Sequence, residues 1–131
     1  MLLLDTHTWV WLAVEPRRLS KEAAGAIRRA ASRGELAIAA ITLWEVAMLF
    51  ARGRLKASRT LEKELAALVE RTSVAVLEVT PAVAAIAAQL PDDVPDDPAD
   101  RMIIATAMSH GLSLVTKDAR IQDSGACRTI W

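Results

Sequence analysis

The sequence predicts a doubly wound α/β sandwich, a central parallel sheet with helices on both faces. Short continuous apolar runs alternate with longer segments of helical spacing, and parallel strands need a covering helix at each crossover. The chain has 131 residues, 53% hydrophobic and 24% charged. A chain of that size buries roughly two-thirds of its unfolded surface, and this balance is not that of a disordered chain. Residues 1–131 are therefore expected to form one domain.

Met1 to Leu4 is an apolar run that fits a buried parallel strand and ends at Asp5. Ser20 is placed to cap a helix whose apolar stripe, Ala23, Ala24, Ile27, Ala30 and Ala31, runs up to Gly34. Leu36 to Ala40 reads as the second strand. Thr42 is expected to cap the next helix, with Glu45 in its first turn and Gly53 past its end. Leu61, Leu65, Leu68 and Val69 mark a further amphipathic helix. Val74 to Val79 has the β-branched content of a third strand, and Thr80-Pro81 opens a helix running through Leu90. Asp97-Pro98 begins a helix with an apolar body from Met102 to Met108, closed by Gly111. Leu112 to Thr116 follows as strand four, and Arg128 to Trp131 as a short last strand.

Sixteen basic and sixteen acidic residues cancel, so any contact with nucleic acid has to come from local patches. The single cysteine, Cys127, has no internal partner to bridge to, which favours a reducing compartment, most simply the cytoplasm. Asp5 and His7 interrupt the apolar start far short of a membrane span, and no basic leader precedes it. Neither a signal peptide nor a membrane anchor is expected.

Ligands of open α/β sheets bind beyond the carboxyl ends of the strands, and there the sequence is acidic. Asp5 follows strand one, Glu45 lies shortly after strand two, Asp100 starts the helix before strand four, and Asp118 follows that strand. Converging carboxylates repel unless a cation neutralises them, and an all-oxygen ligand set suits Mg²⁺ or Mn²⁺. Two histidines and one cysteine, far apart in sequence, give no zinc spacing. The chemistry implied is metal-assisted phosphoryl transfer.

Each carboxylate also has a structural reading. Asp118 fits the start of a turn, T-K-D-A-R. Asp97 and Asp100 are spaced as a capping pair, and Glu45 follows Thr42 by three as in a capping box. Asp5 has no evident helix start to cap, which favours function. Arg101, a cation in a first helical turn, calls for a compensating partner such as a nearby carboxylate, and His7 is left open between a base, an RNA contact and a structural hydrogen bond. The basic runs Arg52, Arg54, Lys56, Arg59 and Arg17, Arg18, Lys21 are suited to RNA phosphates if they flank the acidic rim. Trp9, Trp11 and Trp44 are assigned to a subunit interface in preference to base stacking.

The motifs L-L-D-T-H-T (3–8), T-L-W-E-V-A (42–47), D-P-A-D-R-M-I-I-A-T-A (97–107) and T-K-D (116–118) resemble the PIN-domain family, and within it the VapC-type toxins of toxin-antitoxin pairs. The likeness spans essentially the whole chain in order and spacing. It implies a PIN-like three-layer α/β/α sandwich and a Mg²⁺- or Mn²⁺-dependent endoribonuclease. Asp5, Glu45, Asp100 and Asp118 would bind the metal, with Thr116 and Asp97 auxiliary. It also implies a homodimer and a VapB-like antitoxin whose tail occupies the groove. The rival reading is a PIN-like module that binds RNA or protein without cutting. A haloacid-dehalogenase phosphatase would need an Asp where His7 stands, and a receiver domain would need an Asp at the end of strand three, where V-L-E-V-T has none.

Overall fold

In a computed structural model describing residues 1–131, five short strands form one parallel sheet. They are β1 (Leu2–Leu4), β2 (Leu36–Ala39), β3 (Ala75–Leu77), β4 (Ser113–Val115) and β5 (Thr129–Ile130), in the order β3-β2-β1-β4-β5. The helices are α1 (Thr6–Val14), α2 (Lys21–Ser32), α3 (Ala40–Ala51), α4 (Leu61–Thr72), α5 (Pro81–Ala88), α6 (Pro98–His110) and α7 (Ala119–Ser124), with a 3-10 turn at Pro16–Arg18. None of these helices is long and apolar enough to cross a membrane.

The two-residue period of the strands sorts their side chains between two cores. Leu2, Leu4, Leu36 and Ile38 face Trp9, Ile27, Val46, Phe50 and Leu68 of α1 to α4. Leu3, Ala37, Ala39 and Leu114 face Ile103, Ile104 and Ile121 of α6 and α7. Helix α5 packs on α6 through Val83, Ala87 and Ala105. The sheet is thus sandwiched, as expected of strands buried on both faces. From β1 the chain builds outward through β2 to β3, then returns to add β4 and β5 on the other side. The switch point lies between β1 and β4, and their carboxyl ends open the crevice that carries the site.

Several expectations change. Helix α1 and the short α7 are additions to the elements the sequence predicts. The segment T-H-T-W-V-W-L is β-branched and aromatic, with little helical periodicity to reveal it. Strands three and four are shorter than predicted, and Ala40 belongs to α3 instead of β2. Arg101 donates to the Leu90 carbonyl (2.7 Å) and forms no ion pair; its compensating partner is a backbone carbonyl, not a carboxylate.

Trp9 is not an interface residue. It is fully buried in the first core, and its indole N–H donates to Thr72 Oγ1 (2.9 Å), whose hydroxyl in turn donates to the Leu68 carbonyl (2.7 Å). Trp9→Ala is expected to cost about 3–5 kcal/mol. Trp9→Phe, which keeps an aromatic ring but leaves a smaller void and the Thr72 oxygen short of a donor, should cost less, about 1–3 kcal/mol. Denaturant unfolding measures both, and the oligomeric state should not respond.

Candidate active site

Asp5 leaves β1 at the switch point, where its N–H donates to the Val115 carbonyl of β4 (3.2 Å). It is buried, and its Oδ1 accepts from the Thr8 N–H (2.9 Å), making it the N-cap of α1. Asp5 therefore does have a helix to cap, contrary to the sequence reading, and the bond fixes its rotamer at the floor of the crevice. Thr8 donates its own hydroxyl to the Val115 carbonyl (3.0 Å) and ties α1 to the end of β4.

Glu45 is not in a capping box. Helix α3 starts at Ala40 directly from β2, with Ala39 in the cap position and no side-chain cap bond. This places Glu45 in the second turn. Thr42 turns inward, fully buried, with its hydroxyl 3.1 Å from that of Thr6. Thr6 in turn donates its hydroxyl to Glu45 Oε1. A hydroxyl has one proton, so with Thr6 giving its proton to the carboxylate, the Thr6–Thr42 bond must be donated by Thr42. The chain Thr42 to Thr6 to Glu45 runs in one direction and favours the ionised acid. Burial raises the pKa of Glu45. The Thr6 bond opposes that, Asp97 and Asp5 add to it, and His7 lowers it.

Asp97 caps α6 by accepting from the Asp100 N–H (3.0 Å), as the spacing predicted, and stands exposed at the rim. Asp100 sits half-buried one turn in. Its pKa is pushed up to about 7, mainly by burial and then by the charges of Asp97, Glu45, Asp118 and Asp5. Asp118 caps α7 through the Arg120 N–H (2.9 Å), and the Arg120 guanidinium lies 3.4 Å from its other oxygen. Thr116 is fully buried and accepts from the Asp118 N–H (3.0 Å), so it sets the turn that presents Asp118.

Asp5, Glu45, Asp97, Asp100 and Asp118 line one open cleft of about 630 Å³, with Thr6 and His7 on its wall and Arg18, Lys117 and Arg120 at its edge. Arg18 lies over the Trp11 ring at 4.4 Å, and Trp131 meets the same ring edge-on. The sequence's four carboxylates are thus brought together. In their present positions, however, no three acidic or imidazole side chains are close enough to grip one ion. Asp5, Glu45 and Asp118 each direct an oxygen to a protein donor. The donor chemistry, all carboxylate oxygen around a shared cleft, still fits a hard divalent cation.

With that geometry established, the sequence profile of the PIN domain matches residues 2–125. The chain belongs to the PIN-domain family. Ribonuclease VapC22 of Mycobacterium tuberculosis is 43% identical over 132 residues, covering 99% of this PIN-domain chain and 98% of the relative. Two solved complexes share the PIN fold. VapBC2 of Rickettsia felis bound to a promoter DNA fragment has a TM-score of 0.72 at 14% identity, with 98% of this chain and 97% of that chain covered. DNA-bound VapBC of Salmonella typhimurium has a TM-score of 0.70 at 24% identity over the same shares.

Sequence reasoning missed the Thr6–Thr42 chain. Its only signal was a pair of threonines 36 residues apart that nothing but the β1–β2 pairing brings together. The basic run was read as one patch, and the structure divides it. Arg59 pairs with Glu64 (3.5 Å), Lys56 lines an apolar groove beside Trp9, Arg52 lines a depression that shares Glu45 and Asp97 with the cleft, and Arg54 stands between the two, lining both groove and depression.

Proposed function

We propose that this protein is a metal-dependent endoribonuclease of the VapC type, the toxin of a type II toxin-antitoxin pair. The observation that carries this is the gathering of Asp5, Glu45, Asp100 and Asp118, from four separate segments, into one cleft edged by cations. The full-length likeness to a protein named as a ribonuclease supports it.

In this proposal Asp5, Glu45, Asp100 and Asp118 hold Mg²⁺ or Mn²⁺, which when bound neutralises phosphate charge and lowers the pKa of water. The chain's own contributions follow from its contacts. Thr42 and Thr6 keep Glu45 an acceptor, the α1 cap fixes Asp5, and Thr116 sets the turn of Asp118. Arg18, Lys117 and Arg120 offer cations to the RNA backbone, while the Arg120–Asp118 pair, being exposed, is weak enough to exchange. Residues 1–131 act as one PIN-like unit in the cytoplasm, with a VapB-like antitoxin as partner. The proposal includes a homodimer, which sedimentation at micromolar concentration tests; a monomer there counts against it. Its interface cannot be the three tryptophans together, since Trp9 is core and Trp11 lines the cleft.

Single-stranded and structured RNAs incubated with the protein should be cut internally in Mg²⁺ or Mn²⁺ and left intact in excess EDTA, with cleavage restored by adding back the ion. Full activity in chelator overturns the metal mechanism, and binding without cleavage under every ion favours the non-catalytic module.

A further inference from the structure

Beside the cleft lies a second depression of about 270 Å³ that shares Thr6, His7, Glu45 and Asp97 with it, so the two are continuous. Its outer wall is Trp44, Met48, Arg52 and Arg54. Trp44 is 59% exposed, more than any other large hydrophobic residue of the chain. It directly precedes Glu45 on α3. Arg52 caps the carboxyl end of α3, and Gly53, in the left-handed region (φ 73°), turns the chain so that Arg54 returns to the same wall.

Neither arginine is spent inside the protein. The ion pairs of the chain are Arg33–Glu35, Arg59–Glu64 and Arg120–Asp118, and no side-chain hydrogen bond uses Arg52 or Arg54. The helix dipole accounts for cations at the end of α3, but not for an indole left in water next to them. An exposed aromatic face beside free guanidinium groups is the combination that binds single-stranded nucleic acid, with the ring stacking an unpaired base and the cations pairing the backbone. A duplex keeps its bases stacked and offers no face to such a ring.

We propose that this depression is a nucleotide subsite for single-stranded RNA, in which Trp44 stacks one base and Arg52 and Arg54 hold its phosphate. Because the subsite shares Glu45 with the cleft, the nucleotide it holds is next to the bond to be cut. The proposal rests on the ribonuclease reading and assigns the substrate an unpaired residue at that place.

The test is binding of a fluorescently labelled single-stranded oligoribonucleotide, followed by anisotropy in EDTA, to wild type, Trp44→Ala, Trp44→Phe and Arg52→Ala/Arg54→Ala. Melting temperature and sedimentation are measured alongside. The alanine variants should melt near wild type and bind about ten- to a hundredfold more weakly, with Trp44→Phe within about threefold of wild type. Loss of the one phosphate contact that the two arginines share should flatten the log–log salt slope of the arginine variant by about 0.7. Wild-type affinity in Trp44→Ala overturns the subsite. So does a Trp44→Ala variant that changes only the oligomeric state, since Trp44 then belongs to an interface between copies. If wild type binds without cutting while the variants lose binding, the subsite stands and the nuclease reading falls. If wild type cuts and the variants bind and cut as well as it does, the nuclease reading stands and the subsite falls.

Discussion

Asp100→Asn is expected to lower RNA cleavage by roughly a thousandfold, the rate equivalent of about 4 kcal/mol of transition-state stabilisation. The metal-free variant should nevertheless be more stable than wild type above neutral pH. Asp100 is half-buried among Asp97, Glu45, Asp118 and Asp5, and its pKa stands near 7. A carboxyl whose pKa is raised on folding contributes stability that is complete below the ordinary carboxylate range and is lost as pH rises through 7. Asparagine carries no charge to repel, so the variant's advantage in melting temperature should be present at pH 8 and vanish towards pH 4. Added Mn²⁺ should stabilise wild type more than the variant, reversing the order. Thermal melts at both pH values, with and without the ion, measure all of this. A variant that unfolds at pH 8 marks Asp100 as structural.

Glu45→Gln is expected to cut RNA at least about a hundredfold more slowly, with partial recovery at high Mn²⁺, because a neutral amide oxygen is a poor ligand for a hard cation. The fold should not suffer. Glutamine still accepts from the Thr6 hydroxyl, and it removes a charge whose burial raises the pKa of the native acid. Glu45→Ala separates the structure from the sequence expectation. A capping-box glutamate would cost roughly 0.5–2 kcal/mol on truncation, whereas this residue, in the second turn of α3 and outside any cap, should cost little at pH 8. Near-wild-type cleavage by Glu45→Gln removes it from the site and leaves three carboxylates to carry the proposal.

The sequence by itself determined the alternation of strands and helices, the acidic ends of the strands, and the caps at Ser20, Thr80 and Asp97, because each depends on residues within one or two turns of one another. It also determined the family, since the four motifs hold their order and spacing along the chain. What only the tertiary structure decided depends on contacts between distant segments. Helix α1 carries no periodic signal, because one side buries Trp9 in the core while the opposite side offers His7 and Trp11 to the cleft. Thr42 looks like a cap locally, yet β1 lying alongside β2 brings Thr6 within hydrogen-bond reach and draws its hydroxyl inward. The elevated pKa of Asp100 arises from burial and, beyond its local neighbour Asp97, from the charges of Glu45, Asp118 and Asp5 on three other segments, which no local pattern can sum. The same holds for the basic run. Its residues are alike in sequence, and only the turn at Gly53 and the partner at Glu64 decide that Arg52 and Arg54 line the depression beside the cleft while Arg59 does not.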